Sequence, residues 1–170
     1  KVFSEKYLNY LSNGAHLIIT GGEPLLQQVE IVNLIKYLKI SIPDLFIEIE
    51  TNGTIEPNKG LIDLINQWNC SPKLSSINIS KELRFKIDVL KILAGLNAQF
   101  KFVVNSETDV REILKEYPFI KKSKLVLMPA GDTIELLKNI RLDVISLCLK
   151  YNLKYSDRLH IVAWNKKTGV

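Results

Sequence analysis

The chain has 170 residues, of which 46% are hydrophobic and 24% are charged, and its formal net charge is +5. These values are ordinary for a globular domain with a core, and the mild positive charge favours a solvated surface. Charge alone does not indicate an anionic small-molecule or RNA partner, and we expect no direct nucleic-acid partner. No apolar run approaches the ~20 residues of a membrane span, and the N-terminus does not have the pattern of a signal peptide. Because the two cysteines, Cys70 and Cys148, fit no metal or disulfide spacing, we expect a reduced, cytoplasmic protein.

Strand-like and helix-like segments alternate along the whole chain. The apolar spacing predicts helices over 3–12, 24–39, 58–67, 85–95, 108–117 and 133–151, and strands over 16–20, 45–51, 73–79, 99–104, 124–128 and 158–164. No repeat, low-complexity tract or linker interrupts this order. The sequence therefore predicts a single domain over residues 1–170.

Alternation of this kind predicts an α/β fold with a parallel sheet and right-handed crossovers. Two layouts fit the pattern, an open doubly wound sheet or a full or partial barrel. In both, function gathers at the carboxyl ends of the strands. Polar loops follow the first, second, fourth and fifth predicted strands, whereas the loop over 70–73 precedes the third.

The stretch Thr20–Leu26, with the sequence T-G-G-E-P-L-L, directly follows the first predicted strand. Its two glycines leave the backbone open to a ligand, and Pro24 suits the first position of a helix. The Glu23 carboxylate is placed to hold a cationic amine, or, on a purely structural interpretation, to cap the helix. The stretch contains no phosphate-binding fingerprint.

Three further loops carry candidate ligand contacts, and each has a structural alternative. The carboxylate and amide in 50–54 suit the polar edge of a ligand, although Asn-Gly is also a common turn. The hydroxyl and ammonium in 71–73 suit a carboxylate or a ribose, or the loop only positions the next strand. Residues 128–131 either end a strand or contact a ligand there.

The two histidines and two cysteines do not form a local catalytic or metal-binding pattern. His160 alternates with apolar residues in the last predicted strand, where it is either a core group or a ligand contact. His16 begins a strand and is expected to be structural. Cys70 and Cys148 are expected to be buried thiols.

Four segments in this order, T-G-G-E-P-L-L, E-T-N-G-T, S-P-K and the terminal R-L-H-I-V-A-W…G-V, resemble the radical S-adenosylmethionine (SAM) enzymes. Within them the chain resembles the 7-carboxy-7-deazaguanine synthase family along nearly its whole length. The resemblance implies a partial (βα) TIM-like barrel, SAM, a [4Fe–4S] cluster and Mg²⁺. It also implies a homodimer, an external electron donor such as flavodoxin or ferredoxin, and lyase chemistry. The implied reaction contracts the ring of 6-carboxy-5,6,7,8-tetrahydropterin to 7-carboxy-7-deazaguanine with loss of ammonia, a step toward queuosine or archaeosine in tRNA.

The resemblance also assigns roles to individual residues. Gly22 and Glu23 would hold the methionyl amine of SAM. The other implied SAM contacts are Asn52, Ser71, Pro72, Lys73, Met128, Pro129, Ala130 and Gly131. The implied substrate contacts are Thr20, Glu50, His160 and the C-terminal Val170.

The sequence departs from the family in one respect. The family binds its cluster through three closely spaced cysteines in an N-terminal loop, beside a threonine that binds Mg²⁺, and no such loop occurs here. We therefore expect that the first strand and cluster loop of the family are absent from this chain, that it holds no metal ligands, and that as given it does not cleave SAM. A relative that binds SAM, a pterin or a nucleoside without catalysis is the alternative, and an unrelated α/β domain is a third hypothesis.

Overall fold

The computed structural model describes residues 4–167. In chain order its helices are α1 (Glu5–Ser12), α2 (Gln28–Ser41), α3 (Lys59–Ile62), α4 (Lys81–Arg84), α5 (Ile87–Gly95), α6 (Glu107–Glu116), α7 (Ile134–Tyr151) and α8 (Leu159–Trp164). The strands are β1 (Leu17–Ile19), β2 (Ile47–Thr51), β3 (Gln67–Cys70), β4 (Ala98–Val104), β5 (Leu125–Pro129) and β6 (Lys154–Tyr155). The described residues divide into two compact units, the first containing the residues up to 70 together with 86–98, and the second containing 71–85 together with the residues from 99 onward. That the whole chain is one domain stays a prediction.

The first unit is built on three parallel strands in the order β1-β2-β3. Ile19 of β1 lies opposite Ile49 of β2, and Thr51 at the end of β2 lies opposite Cys70 at the end of β3. Because the strands are parallel, the loops that follow β1 and β2 leave the sheet at the same edge. This edge carries the loops that the sequence marked as candidate ligand contacts.

Side chains on one face of β2 form the core of the first unit. Ile47 and Ile49 are fully buried, whereas Glu48 and Glu50 alternate with them on the other face. Ile35 of α2 and Leu90 of α5 are fully buried in the same unit. Burial of such side chains stabilises a fold by roughly 1.5–3 kcal/mol each, so this face of β2 fixes its register.

The second unit pairs β4, β5 and β6 in parallel. Phe100 and Phe102 of β4 are fully buried, and the ring of Tyr117 packs edge-on at 4.9 Å from the ring of Phe102. Helix α6 begins with a capping box in which Ser106 and Asp109 exchange hydrogen bonds with each other's backbone. Thr133 caps α7 by accepting a hydrogen bond from the Leu136 amide.

The third strand lies earlier in the chain than the sequence predicted. The prediction placed a helix over 58–67 and a strand over 73–79, but the helix is only Lys59–Ile62 and the strand is Gln67–Cys70. The predicted strand segment instead contains a 3₁₀ turn, Ser75–Ile77. The strand forms at 67–70 because Trp68 and Cys70 are buried there in register with β2. Consequently the loop over 71–73 follows the carboxyl end of a strand, which is where ligand contacts gather.

The prediction of a final strand over 158–164 is wrong. The Arg158 carbonyl accepts hydrogen bonds from the amides of Ile161 and Val162, and these bonds form the first turn of helix α8. A short apolar run does not distinguish a strand from a helix by periodicity alone. The sixth strand is instead Lys154–Tyr155, too short to give a sequence signal.

Among residues 4–167, no helix is both long and apolar enough to cross a membrane.

Candidate functional site

The loop after β1 borders an open pocket of about 330 Å³ in the first unit. Gly21 has a φ of +142°, which L side chains rarely adopt, and no atom lies within 4 Å of where a Cβ would stand on Gly21 or Gly22. The pocket is lined by Ile19, Thr20, Gly21, Gly22, Glu23, Pro24, Leu26, Gln27 and Ile31. The two glycines therefore leave bare backbone exposed at the wall of a cavity, as the sequence predicted.

The half-buried Glu23 carboxylate is held by three hydrogen-bond donors. Its Oε1 accepts from the Leu25 amide at 3.1 Å and from the Thr51 hydroxyl at 2.8 Å. Its Oε2 accepts from the Asn52 amide at 2.8 Å. An ionised carboxylate offers about four acceptor positions, so one remains, on Oε2. The helix-capping interpretation is thus true of Glu23, which precedes a 3₁₀ turn over Pro24–Gln27, and it leaves an acceptor for a cation.

The loop after β2 is a tight turn built by its own side chains. The Asn52 Oδ1 atom accepts from the amide and the hydroxyl of Thr54, at 2.9 and 2.6 Å. Gly53 has a φ of +76°, and its amide donates to the Thr51 hydroxyl at 3.1 Å. Sequence reasoning nominated Asn52 as a ligand contact but missed Thr51. Strand alternation was the available signal, since it places Thr51 on the buried face of β2, between Glu50 and Asn52.

Two predicted substrate contacts, Thr20 and Glu50, lie together at the same edge. The Thr20 hydroxyl donates to Glu50 Oε2 at 3.2 Å, and both side chains are exposed. Two residues earlier on the same face of β2, the Glu48 carboxylate contacts His16 Nδ1 at 2.7 Å and accepts a hydrogen bond from the side-chain amide of Asn69 at 2.8 Å. His16 is also stacked on Phe46, with 4.1 Å between the ring centroids. Its contacts are therefore those of the structural histidine that the sequence predicted.

The loop over 71–73 is anchored within the second unit by a buried arginine. Arg84 is 5% exposed, and its Nη1 donates to the Lys73 carbonyl at 3.1 Å. The same nitrogen lies 3.1 Å from Glu112 Oε1. The Ser75 amide and hydroxyl also donate to the Glu112 carboxylate. This cluster fixes the backbone on the carboxyl side of the predicted SAM contacts, while Pro72 is buried and Lys73 is exposed.

The predicted contacts over 128–131 lie at the carboxyl end of β5. The Ala130 amide donates to the Val104 carbonyl at 3.0 Å, which holds the chain beside the end of β4. A Cβ on Gly131 would stand 3.0 Å from Leu137 Cδ2 and 3.2 Å from the Leu137 nitrogen, so close packing against α7 favours glycine here. The Lys166 ammonium, 2.9 Å from Asp132 Oδ2, lowers the pKa of that exposed carboxyl.

The remaining two predicted contacts have different outcomes. His160 is exposed on helix α8 and not in a strand, because the segment around it is helical. Its role in substrate binding stays a prediction. Val170 lies outside the described residues.

In the second unit, the carboxyl group with the largest pKa shift is held by neighbouring side chains. The pKa of Glu107 is lowered to about 2, first by a hydrogen bond from the Tyr151 hydroxyl and then by Lys150 and Arg111. The Glu107 carboxylate lies 2.6 Å from that hydroxyl and 2.9 Å from Lys150 Nζ, so it links α6 to α7. Burial raises the pKa of the Cys148 thiol, which, like Cys70, is buried and forms no disulfide.

Three curated proteins, each named 7-carboxy-7-deazaguanine synthase, match nearly the whole chain. The protein of Halobacterium salinarum is 31% identical over 174 residues, covering 88% of this chain. Those of Pyrobaculum aerophilum and Hyperthermus butylicus are 27% and 32% identical, covering 94% and 86% of it. The chain is a homologue of the 7-carboxy-7-deazaguanine synthases. The resemblance inferred from the sequence is thus confirmed. The chain spans 65%, 69% and 64% of the length of these three relatives, and no family model matches it.

A solved structure gives the fold class of this synthase homologue. A domain of pyruvate-formate lyase-activating enzyme from Bacteroides vulgatus has a TM-score of 0.56 and 16% sequence identity. It covers 85% of this chain, and 99% of that domain is matched. At this identity the likeness shows the fold alone. It confirms the predicted α/β fold class.

The residues of this synthase homologue fit one part of a SAM-binding site and do not fit an iron–sulfur cluster. Bare backbone at Gly21 and Gly22, beside a carboxylate with one open acceptor position, suits an ammonium group. By contrast, residues 4–167 contain no group of three or more His, Cys, Asp or Glu side chains able to hold a metal ion. Cys70 and Cys148 are both buried, in different units, and do not supply cluster ligands.

Proposed function

We propose that this chain is the SAM- and substrate-binding part of a 7-carboxy-7-deazaguanine synthase. The proposed reaction is the SAM-dependent ring contraction of 6-carboxy-5,6,7,8-tetrahydropterin to 7-carboxy-7-deazaguanine with loss of ammonia, a carbon–nitrogen lyase reaction. The observation that carries the proposal is the similarity to three synthases of that name across 86–94% of this chain. The [4Fe–4S] cluster and Mg²⁺ of such an enzyme would require ligands other than residues 4–167.

The geometry of Glu23 supports the binding of SAM through its amine. SAM carries an ammonium on its methionyl carbon, and it supplies the adenosyl group that initiates the reaction. Three donors fix the Glu23 carboxylate and leave one acceptor position at the pocket wall, so the ammonium completes the set of hydrogen bonds. Gly22 carries no Cβ between the backbone and a ligand. The charge-assisted contact is about twice as strong as one between neutral groups.

The remaining SAM contacts are proposed to lie in the loops that follow strands β3 and β5. Ser71, Pro72 and Lys73 follow β3, and residues 128–131 follow β5, and loops after parallel strands are where (βα) barrels bind ligands. Asn52 enters this set through its backbone, because its amide donates to Glu23 and its side chain is bonded to Thr54. Its proposed role is therefore to shape the Glu23 site.

Thr20 and Glu50 are proposed to contact the pterin. A pterin presents a row of N–H donors and carbonyl acceptors, which a carboxylate and a hydroxyl side by side match. His160 and Val170 stay proposed substrate contacts on the resemblance alone. We also propose a cytoplasmic homodimer that receives electrons from flavodoxin or ferredoxin, acts on the free pterin, and serves queuosine or archaeosine formation.

An assay of the full-length gene product tests the proposed function. The protein is purified and reconstituted with iron and sulfide without oxygen, then given SAM, a reductant and 6-carboxy-5,6,7,8-tetrahydropterin. We expect 7-carboxy-7-deazaguanine by mass spectrometry, and loss of it in Glu23→Gln, whose amide NH₂ would oppose one of the three donors. Glu30→Gln, which changes an exposed carboxylate of α2 outside the pocket, is the matched control.

The same assay separates the alternative function. Calorimetric binding of SAM or the pterin with no turnover by the reconstituted protein would indicate a binding protein without catalysis. If the reconstituted protein shows no binding and no turnover, the assignment to this reaction is refuted and only the fold assignment stands.

A further inference from the structure

The side chain of Thr51 lies between the two loops that form the Glu23 site. Thr51 is 3% exposed and ends strand β2, and its hydroxyl contacts a carboxylate that is 28 positions away in the chain. Thr51 was not among the site residues predicted from the sequence. Its position is instead explained by what it does to Glu23.

The hydrogen of the Thr51 hydroxyl has one direction in this network. The Gly53 amide donates to Thr51 Oγ1 at 3.1 Å, so that oxygen acts there as an acceptor. Its own hydrogen is then directed to Glu23 Oε1, 2.8 Å away. Because Gly53 has a φ of +76° and is itself buried, the turn that delivers its amide is fixed. Thr51 is therefore held as a donor toward Glu23.

This donor fixes the rotation of the Glu23 carboxylate. The Thr51 hydroxyl and the Leu25 amide both contact Oε1, which leaves Oε2 with a single protein donor, the Asn52 amide. Without the hydroxyl, one amide would contact each oxygen and the two oxygens would become nearly equivalent. The remaining acceptor position would then no longer be confined to Oε2.

We propose that Thr51 is a positioning residue that orients the Glu23 carboxylate so that its one open acceptor meets the cationic amine of the ligand. This inference rests on the proposed function, because the ligand amine is that of SAM. It predicts that loss of the Thr51 hydroxyl weakens the binding of ligands that carry the amine and leaves the binding of ligands without it nearly unchanged. The contacts of the rest of the SAM molecule do not depend on Thr51.

Calorimetric titration of the full-length, anaerobically prepared protein with three ligands tests this role. SAM carries the amine and the carboxylate, decarboxylated SAM keeps only the amine, and 5′-methylthioadenosine has neither. We expect Thr51→Val, which keeps the shape and removes the hydroxyl, to weaken the first two about tenfold and to leave the third within about twofold. Thr51→Ser, which restores the hydroxyl, is expected to restore binding to within about threefold of the unchanged protein.

Thr54→Val is the matched control for this experiment. It removes a hydroxyl from the same turn, but that hydroxyl contacts Asn52 Oδ1 and not Glu23. We expect all three ligands to bind it nearly as they bind the unchanged protein. Equal weakening of all three ligands by Thr51→Val, or equal effects of the two valine variants, would overturn the positioning role. Should Thr51→Val not fold, as judged by circular dichroism, Thr51→Ala takes its place in the same comparison.

A measurement without ligand separates this inference from the proposed function. Hydrogen exchange of the Leu25 and Asn52 amides reports on the Glu23 carboxylate that accepts from them. We expect both to exchange several-fold faster in Thr51→Val than in Thr54→Val. If the unchanged protein binds none of the three ligands, the proposed function fails, while faster exchange still supports the orientation of Glu23 by Thr51. Unchanged exchange in Thr51→Val would refute it whether or not SAM binds.

Discussion

Gly53 is the residue of the β2 loop where substitution is expected to have the largest effect on stability. Its φ of +76° lies in the left-handed region, and a Cβ would stand 2.8 Å from Cys70 Sγ and 2.8 Å from Leu90 Cδ2. Both neighbours are fully buried, so neither has open space to move into. Gly53→Ala therefore combines backbone strain with overpacking in the core of the first unit.

The two contributions can be estimated separately. The left-handed conformation costs a residue with a Cβ roughly 1–2 kcal/mol. Forcing a methyl group into a packed core costs roughly 1–3 kcal/mol. We therefore expect Gly53→Ala to lower the free energy of unfolding by about 2–5 kcal/mol, which lowers the Tm by about 5–15 °C for a chain of this size.

Gly14→Ala provides the control that isolates backbone strain. Gly14 has a φ of +91°, but no atom lies within 4 Å of where its Cβ would stand. Urea unfolding followed by circular dichroism should give about 1–2 kcal/mol for Gly14→Ala and a clearly larger value for Gly53→Ala. Adding Cys70→Ala should reduce the effect of Gly53→Ala by at least about 0.5 kcal/mol, because one of the two contacts is removed. Equal losses for the two glycines, with no coupling to Cys70, would refute the reasoning.

Three further predictions concern the second unit. Because the Glu107 pKa is lowered to about 2 in the folded state from an ordinary value of 4.5, its contribution to stability is present above about pH 4.5 and is lost as the pH falls toward 2. The difference in urea midpoint between the unchanged protein and Glu107→Gln should shrink over that window, and a constant difference would contradict it. Arg84→Met should cost about 3 kcal/mol, against less than about 1 kcal/mol for the exposed Arg111→Ala, because it removes a buried cation from the half-buried Glu112 carboxylate and a donor from the Lys73 carbonyl; similar losses would count against this. Cys148, whose burial raises the pKa of its thiol, should react with a disulfide reagent at pH 8 only after unfolding, and rapid reaction of the native protein would show that it is accessible.

Elements with strong local periodicity were predictable from the sequence. Helix α7 was predicted over 133–151 and is observed over Ile134–Tyr151, with Thr133 as its cap. Strand β2 was predicted over 45–51 and is observed over Ile47–Thr51, because apolar and polar residues alternate along it. These signals are contained within the segment itself, and the tertiary fold only confirms them.

The third strand could not be predicted from the sequence, because it depends on a partner strand. Gln67–Cys70 contains one strongly apolar residue, Trp68, and becomes a strand because it pairs with β2, which is distant in sequence. The segment over 73–79 looked more like a strand, but Ser75 is bonded to Glu112 and the chain turns there. Such outcomes depend on partners that no local window of sequence contains.

The candidate site shows the same division between local and distant information. Glu23 could be nominated from its own motif, since the glycines before it and the proline after it are adjacent in the chain. Thr51 could not, because its contact with Glu23 requires the register in which Ile19 lies opposite Ile49. A slip of β2 by one residue would turn Thr51 to the other face and present Glu50 in its place. The buried side chains of β2 that fix this register therefore also determine which donor orients the Glu23 carboxylate, and the packing of the core is part of the specificity of the site.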